Sequence, residues 1–296
     1  MSKVGPIGFV AAGAFAALVY STGAHAQVTF PGLVHRWSAN GSLADTVGGA
    51  NGTAVGNVSF VPGVFGQAMQ FDSGEYVTAG TTAANLGTSD FTIAFWVRFD
   101  VTIPASLMSK RPQCGATEML DIRAIDGERA ISELAGDKAS NYTLTFTTDP
   151  LNDGVWRHFA MRRTGQVVMT FIDGCLVGLG YGAGVVDFST TAAALEFGRG
   201  ACTDIDGTLP FSGAMDEIQI YARALTGFEL AELALREEPG AVGDPDIDGS
   251  GTVNGADLGI LLGAWGPCPG CCFADLNGDD VVDGVDIGIL LGAWAG

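Results

Sequence analysis

The sequence has 296 residues, with 33 Asp and Glu against 14 Lys and Arg, and a net charge of −19 at pH 7. Such an acidic chain does not favour nucleic acid or anionic membrane surfaces as partners, and it is compatible with calcium binding. The 44 glycines, together with β-branched and aromatic runs, predict many strands joined by tight turns. The length suits one large domain plus a small one.

The N-terminus has the composition of a secretory signal peptide, predicted over residues 1–26. Lys3 precedes an apolar run from Ile7 to Tyr20, and the small residues of Ala24-His25-Ala26 form a cleavage site after Ala26. The run is short for a bilayer span and contains glycines, which leaves an uncleaved anchor as the alternative. The mature protein is therefore predicted to be secreted, periplasmic or held at the cell surface, with no membrane span.

Residues 27–238 are predicted to form one large, mainly β domain. Phe91–Phe99 alternates apolar and other residues, Val167–Val177 contains two strands around the turn Asp173-Gly174, and Met215–Tyr221 is a further strand. Many short strands with turn residues between them predict a two-sheet sandwich.

One helix is predicted near the end of this domain, over Thr226–Arg236. Its first residue can act as the N-cap, Glu229 follows three residues later, and Leu230 and Leu233 are expected to face inward. A linker rich in proline and glycine, residues 239–245, separates this helix from the C-terminal segment.

Several motifs follow one another along the domain: Leu33–Trp37, Asn40–Gly49, Gly63–Asp72, Phe91–Phe99, Gly154–Ala160, Ile172–Gly178 and Phe211–Leu225. This ordered set resembles laminin G-like, concanavalin A-like jelly rolls. The resemblance implies a calcium ion held by Asp45, with nearby carbonyls or Asn51, and by Asp216. The alternative is that these side chains only make turn and strand-end hydrogen bonds. The resemblance also implies a concave sheet or rim loops that bind a sugar or a protein.

No catalytic motif is evident, and no catalytic residue is assigned. The E-x-D-x-E run of β-glucan hydrolases with this fold is absent, and Glu118 and Asp121, three positions apart, are predicted to face opposite sides of a strand. His35 and His158 are interpreted as structural histidines. Neither a G-x-S-x-G motif nor a phosphate-binding loop occurs. We expect a protein that is not an enzyme, with glycoside hydrolysis as the alternative.

The six cysteines of an exported protein indicate disulfide bonds. Three lie in the large domain and three near the C-terminus: Cys114, Cys175, Cys202, Cys268, Cys271 and Cys272. Each group is odd, so either one thiol per group is free or one bridge joins the groups. We expect Cys114–Cys202, and Cys268 with Cys271 or Cys272, although spacing does not determine connectivity. A zinc site at C-x-x-C-C is a further alternative, without a second ligand pair nearby.

The C-terminal segment, residues 246–296, contains a duplication in which Asp246–Trp265 matches Asp275–Trp294. In each copy, oxygen-bearing side chains occupy positions 1, 3, 5, 9 and 12 of a twelve-residue loop, and position 7 offers a backbone carbonyl, which is the spacing of a calcium loop. The predicted ligands are Asp246, Asp248, Ser250, Thr252, Asn254 and Asp257 in the first loop, and Asp275, Asn277, Asp279, Val281, Asp283 and Asp286 in the second.

Each loop leads into a helix with the shared frame D-x-G-I-L-L-G-A-W. The apolar stripes of the two helices are predicted to pack against each other; they consist of Leu258, Leu261, Leu262 and Trp265, and of Ile287, Leu290, Leu291 and Trp294. Val253 and Val282, at position 8 of the loops, are predicted to join them through a short strand.

The duplicated loop-plus-helix unit resembles the type I dockerin family, and the G-x-W-G-P-C-x-x-C-C region resembles its planctomycete-type variants. The resemblance implies a small all-α module with two Ca²⁺ sites that attaches to a cohesin-like or envelope protein. Asp280 replaces the usual glycine at position 6 of the second loop, at an expected cost of about 1 kcal/mol. The positions that usually contact a cohesin are Gly255, Ala256, Gly284 and Val285, and neither helix carries Lys or Arg.

Together these features predict a secreted binding protein. Its jelly roll would recognise a carbohydrate or cell-surface ligand, and its calcium-dependent tail would attach it to a partner or the cell envelope. The alternatives are a glycoside hydrolase of an extracellular polysaccharide-degrading system and a purely structural surface protein.

Overall fold

A computed structural model gives the fold of the chain. It describes residues 27–72, 74–100, 104–115, 118–125, 129–135, 142–146, 151–189, 193–205, 207–234, 245, 247, 252–268, 274–277, 279 and 281–294. The predicted signal peptide, residues 239–244 of the predicted linker, and the predicted ligands Asp246, Asp248 and Ser250 lie outside these ranges.

Two antiparallel sheets account for the large domain. Its described elements are β1 (Leu33–Trp37), β2 (Thr53–Val55), β3 (Ser59–Pro62), β4 (Gln67–Phe71), β5 (Tyr76–Thr78), β6 (Phe91–Arg98), β7 (Ala105–Lys110), β8 (Met119–Ile125), β9 (Arg129–Ala135), β10 (Tyr142–Phe146), β11 (Arg157–Thr164), β12 (Val167–Ile172), β13 (Cys175–Tyr181), β14 (Glu196–Phe197), β15 (Gly213–Tyr221) and α1 (Gly227–Leu233). The eight-stranded sheet has the order β13-β12-β11-β6-β15-β4-β3, with β1 also paired to β15. The seven-stranded sheet has the order β10-β9-β8-β7-β14-β5-β2. The predicted two-sheet sandwich is confirmed.

Strand β6 shows why the sheets stay together. Its alternate residues Phe91, Ile93, Phe95 and Val97 are fully buried in the core between the sheets, as the alternation predicted. Phe95 also stacks on Phe159 of β11, with ring centroids 5.0 Å apart. Burying one such side chain contributes about 2–3 kcal/mol, so these four side chains together stabilise the contact between the two sheets.

The predicted hairpin and helix are present and contact each other. Asp173 and Gly174 have φ of 50° and 81°, the positive values that a type I′ turn requires. A Cβ on Gly174 would lie 3.0 Å from the Cα of Ala231, so α1 packs directly on this turn. Thr226 and Glu229 form the predicted capping box, and the two inward leucines of the helix are fully buried.

The expected Cys114–Cys202 disulfide is confirmed. Cys175 and Cys268 are also disulfide-bonded, whereas Cys271 and Cys272 lie outside the described residues. Because Cys114 and Cys202 bond to each other, the partner of Cys175 must belong to the C-terminal group. The bridge between the two cysteine groups, one of the two arrangements that the odd numbers allow, therefore follows.

Peptide mapping without reduction tests this bridge. Trypsin cuts on either side of Cys175 to give the fragment 164–199, and the three C-terminal cysteines fall in the fragment 237–296. We expect the two fragments to run as one species in mass spectrometry and to separate after reduction. The fragment that carries Cys202, residues 200–223, is the internal control, because it should be linked to Cys114 instead. Alkylation of Cys175 in the unreduced protein would contradict the assignment.

The C-terminal segment contains α2 (Gly255–Gly263), β16 (Gly266–Pro267), β17 (Val281–Val282) and α3 (Gly284–Gly292). Its small core is centred on Leu261 and Leu290. The predicted stripes are only partly correct, because Leu262 and Leu291 are 50% and 52% exposed. On a helix, neighbouring residues are separated by about 100°, so one leucine of each Leu-Leu pair turns outward.

Two further features of the tail differ from expectation. Trp265 and Trp294 are exposed, because each helix ends at a glycine before its tryptophan. Val282 does lie in a short strand, but that strand pairs with Gly266–Pro267 and not with Val253. Among the described residues, no helix is long and apolar enough to cross a membrane.

Candidate functional site

A row of polar side chains crosses the outer face of the seven-stranded sheet. The strand register places Thr78, Glu196, Ser109, Asp121 and Glu133 side by side on β5, β14, β7, β8 and β9. Residues beside them in the chain belong to the core: Val77, Phe197, Met108, Leu120 and Leu134. Side chains alternate along a strand, so this polar row points away from the core.

Two acids of the polar row form a cross-strand pair. Asp121 and Glu133 lie directly opposite each other, where Cβ atoms are about 5 Å apart, and both are buried. Arg123 donates to Glu133 at 2.5 Å, and Arg111 lies 3.5 Å from Asp121. Burial raises the pKa of Asp121 to about 6; Arg123 opposes this shift and Glu133 adds to it. Each carboxylate of the pair therefore has an arginine beside it, and burial makes Asp121 easier to protonate than an exposed aspartate.

The backbone that follows β14 lies over this part of the sheet and shields the acid pair from solvent. Ser106 Oγ, Ser109 Oγ and Asp121 Oδ1 are buried without a well-formed hydrogen bond, although the Ser109 hydroxyl is near enough to lower the pKa of Asp121. A Cβ on Gly200 would lie 2.4 Å from Ser106 Oγ, so the backbone after β14 rests on these serines. Asp121 has no exposed surface, and a ligand on the sheet would not touch it without movement of this segment.

The same face is more open at β5 and β14. Tyr76, Thr78, Glu196 and Arg199 are half-exposed there, and we refer to them as the Tyr76 cluster. The Arg199 guanidinium lies 4.8 Å from the centroid of the Tyr76 ring. Burial raises the pKa of Glu196, and Arg199 acts in the opposite direction. An aromatic ring beside a cation and a carboxyl group can stack on a ligand and exchange hydrogen bonds with it.

Asp45, a predicted calcium ligand of the jelly roll, is a hydrogen-bond acceptor within a turn. Its carboxylate accepts backbone N–H groups of residues 36, 47, 48 and 50 at 2.9–3.0 Å and lies 2.7 Å from His35 Nδ1. Asn51 accepts the N–H of Asp45 at 3.0 Å. These are the turn hydrogen bonds that were the alternative to a calcium site.

The carboxylate of Asp216 also accepts backbone hydrogen bonds. Its Oδ2 accepts the N–H groups of Val64 and Phe65, at 2.8 and 3.0 Å, and Oδ1 accepts that of Glu217 at 2.8 Å. Burial raises the pKa of Asp216 to about 7, and the N–H of Phe65 opposes that shift. Glu217 points elsewhere and pairs with Arg36 at 2.8 Å. A calcium ion between Asp45 and Asp216 stays a prediction.

The two described histidines lie outside the polar row. His158 is fully buried against Trp96, with ring centroids 5.2 Å apart, and burial lowers its pKa to about 3. His35 is held by Asp45 and stacks on Trp37. Both side chains have packing partners that explain their presence, as the structural interpretation expects.

In the second repeat, the predicted ligands wrap a short loop. Asp275 Oδ1 accepts the N–H of Asp279 at 3.2 Å, and Asp279 Oδ1 accepts that of Val281 at 3.0 Å. Asp286 Oδ1 accepts the N–H of Leu276 at 2.7 Å, and its Oδ2 accepts that of Asp283 at 2.8 Å. The last predicted ligand thus reaches back to the start of its own loop. Asn277 Oδ1 also accepts the N–H of residue 279.

The first repeat is described only from Thr252 onward and matches the second there. The N–H of Asn254 donates to Asp257 at 2.8 Å, the same capping box that Asp283 and Asp286 form. The amide of Asn254 donates to the carbonyl of Thr252, at position 7. The two loops therefore enter their helices with the same geometry.

The donor set of these loops fits calcium. Asp257, Asp275 and Asp286 are buried, and residues 239–296 contain nine aspartates and no Lys, Arg or His. Burying carboxylates without a counter-charge is costly, and the segment itself supplies no basic side chain. Carboxylate, amide and carbonyl oxygens are the ligands that Ca²⁺ prefers. Within the described residues, no three acidic, His or Cys side chains already converge as a metal cluster.

The antiparallel two-sheet sandwich is consistent with a jelly roll. The laminin G-like model of the concanavalin A-like lectin/glucanases superfamily matches residues 71–231, more than half of the chain. The chain belongs to this superfamily, which confirms the first resemblance. The dockerin resemblance stays a prediction. A search of curated proteins found no match.

Several solved structures share the fold. Domain 4 of AbnA, a GH43 extracellular arabinanase from Geobacillus stearothermophilus in complex with arabinotriose, is 20% identical, with a TM-score of 0.56 over 69% of this chain and 98% of that domain. The binding domains of Paraclostridial Mosquitocidal Protein 1 and of Botulinum Neurotoxin DC in complex with SialylT are 16% and 14% identical, with TM-scores of 0.54 and 0.53 over 69% of this chain. The chain spans about half the length of these two toxin domains, at 52% and 51%. At these identities, the likeness concerns the fold alone.

Proposed function

We propose that this is a secreted, non-catalytic binding protein whose jelly roll binds a carbohydrate. The observation that carries the proposal is the Tyr76 cluster on the outer face of the seven-stranded sheet. A sugar ring has apolar C–H faces and a rim of hydroxyl groups. The Tyr76 ring can stack on such a face while Glu196 and Arg199 accept and donate hydrogen bonds at the rim. The arabinotriose complex of the AbnA domain supports this ligand class.

Secretion is part of the proposal. The Cys114–Cys202 disulfide supports it, because such bonds persist in oxidising compartments. Residues 1–26 would be the signal peptide, removed after Ala26.

The tail is proposed to be a dockerin-like module with two Ca²⁺ ions, held by the two sets of loop ligands. Bound calcium would neutralise the buried carboxylates and thereby contribute directly to folding. Exposed apolar side chains lie on the two helices (Leu262 and Leu291) and just after them (Trp265 and Trp294), and the segment carries no basic side chain. These features fit attachment to a cohesin-like or envelope protein through apolar contacts.

Glycoside hydrolysis is the second candidate, favoured by the Asp121–Glu133 pair. Retaining hydrolases place two carboxyl groups about 5 Å apart, one of them with a raised pKa. Burial of both acids and their contacts with arginines favour a structural role instead.

Affinity electrophoresis of the intact protein in gels containing linear arabinan, pectin or sialylated glycans tests the proposal. We expect retardation by at least one probe, weakened at least tenfold by Tyr76→Ala. Tyr181→Ala, which removes a 70% exposed ring on the other sheet, is the matched control and should bind as before. Unchanged binding by the Tyr76→Ala variant would overturn the assignment of the binding site to this face. Release of reducing sugar that Glu133→Gln abolishes would favour the hydrolase.

A further inference from the structure

A separate cavity of about 230 Å³ opens on the eight-stranded sheet. The register places Gln70, Ala214 and Arg98 side by side on β4, β15 and β6. The residues that flank Gln70 and Arg98 in the chain lie in the core, so both side chains point outward. Ala214 forms a floor between two longer polar side chains. This cavity is on the opposite sheet from the Tyr76 cluster.

Glycine keeps this cavity open. Gly213 lines it with a φ of 156°, and a Cβ there would lie 2.5 Å from the Arg98 carbonyl oxygen and 2.6 Å from the Phe211 ring. Any side chain at this position would displace the wall of the cavity. On the facing side, Gly154 donates its N–H to the Phe99 carbonyl at 2.9 Å, which fixes the loop that follows β6.

Arg98 packs on an aromatic ring and has no carboxylate partner among the described residues. Its guanidinium lies 4.9 Å from the centroid of the Trp156 ring, and within the described part of the chain it makes no hydrogen bond or ion pair. Arg36, Arg157 and Arg223, by contrast, are each paired with a carboxylate. Arg98 and Asp100 both line the cavity, but among the described residues Arg98 pairs with no carboxylate, so in a chain with a net charge of −19 it favours an anionic group of a ligand.

The other polar groups of the cavity suit hydroxyl groups. Asp100 and Ser212 make no hydrogen bond among the described residues, and both line the cavity. Gln70 donates its Nε2 to the Phe71 carbonyl and to Asp72, at 3.2 and 3.0 Å, which leaves its Oε1 as an acceptor. A ligand with one carboxylate beside Arg98 and hydroxyl groups beside Gln70, Asp100 and Ser212 would contact all the polar side chains of the cavity.

We propose that this cavity binds a single carboxylate-bearing sugar ring, a uronic acid residue. The planar guanidinium can donate two parallel hydrogen bonds to a carboxylate, and the Trp156 ring packs against it. The cavity is smaller than the 300–1,000 Å³ typical of drug-sized ligands, so it suits one ring and not an oligosaccharide. This assignment does not depend on the function proposed for the opposite sheet.

Titration calorimetry of the intact protein with galacturonate, glucuronate, galactose and acetate tests the assignment. We expect at least one uronate to bind at least tenfold more tightly than galactose and acetate. Arg98→Gln should remove this preference and lower Tm only slightly, because among the described residues Arg98 contacts the Trp156 ring but has no ion pair to lose. Tyr181→Ala is the control, since it removes an exposed side chain of the same sheet that does not line the cavity, and it should bind the uronate as wild type does.

Equal uronate binding by wild type and Arg98→Gln, or no uronate binding by wild type, would overturn the proposal. A Tyr76→Ala variant separates the two sites: it should keep uronate binding even where polysaccharide binding is lost. Pectin and its methyl-esterified form distinguish a uronate within a chain from a free one. Binding of free uronate without any preference for the unesterified polymer assigns the cavity to the free sugar acid.

Discussion

Removal of calcium from the intact protein is expected to unfold the C-terminal segment and leave the jelly roll folded. In chelator, the buried Asp257, Asp275 and Asp286 would lose their counter-charge, in a segment that contains no basic residue. The core there is small, centred on Leu261 and Leu290, and offers little apolar stabilisation to offset the repulsion. Hydrogen exchange followed by mass spectrometry measures this directly.

We expect amides of α2 and α3 to exchange roughly 100-fold faster in chelator than in calcium, because metal-binding energy in such modules is folding energy. Peptides that cover β6 are the internal control and should not change. Asp286→Asn should abolish protection of α3 by calcium, and Asp257→Asn is its counterpart in the first repeat. Identical exchange of α2 and α3 in calcium and in chelator would show that the loops are only turns.

Local patterns were enough to predict several elements of the fold. The alternation over Phe91–Phe99, the Asp173-Gly174 turn and the capping box at Thr226 each depend on residues a few positions apart. The acid pair of the polar row could not be found in this way. Asp121 and Glu133 lie on different strands, and their register depends on the connection between β8 and β9. Two acids twelve positions apart can be identified as direct neighbours only when that register is known.

The sequence alone also did not predict which charged side chains are buried. Lys110 is fully buried and donates to the carbonyls of Thr81 and Ala83, both at 2.6 Å. Arg163 is 1% exposed and donates to the carbonyls of Gly87 and Val186, at 2.9 and 2.7 Å. A cation in a strand ordinarily indicates an exposed face. Here backbone carbonyls satisfy these donors instead of water, and only the three-dimensional course of the chain brings those carbonyls together.

Asp45→Asn is expected to destabilise the jelly roll by about 2 kcal/mol at pH 7. Burial alone would raise the pKa of Asp45, but the His35 contact and the N–H donors of the turn more than offset it and lower the pKa to about 2, from an ordinary 3.8. Because the folded state depresses the pKa, this stabilisation is present above about pH 4 and is lost as the pH falls towards 2. The Asp45→Asn variant should not show this loss of stability as the pH falls from about 4 towards 2.

Urea unfolding between pH 2 and 7 measures the effect, followed by the fluorescence of the buried tryptophans of the sandwich. Asp187→Asn, which removes an exposed carboxylate whose one hydrogen-bond partner among the described residues is Ser189, is the control and should match wild type within about 0.5 kcal/mol. The same experiment in calcium and in chelator decides the role of Asp45. Hydrogen bonding alone predicts a midpoint that is independent of calcium. A calcium ion shared with Asp216 instead predicts that chelator lowers the wild-type midpoint and has no effect on Asp45→Asn, because only the wild-type carboxylate could hold the ion.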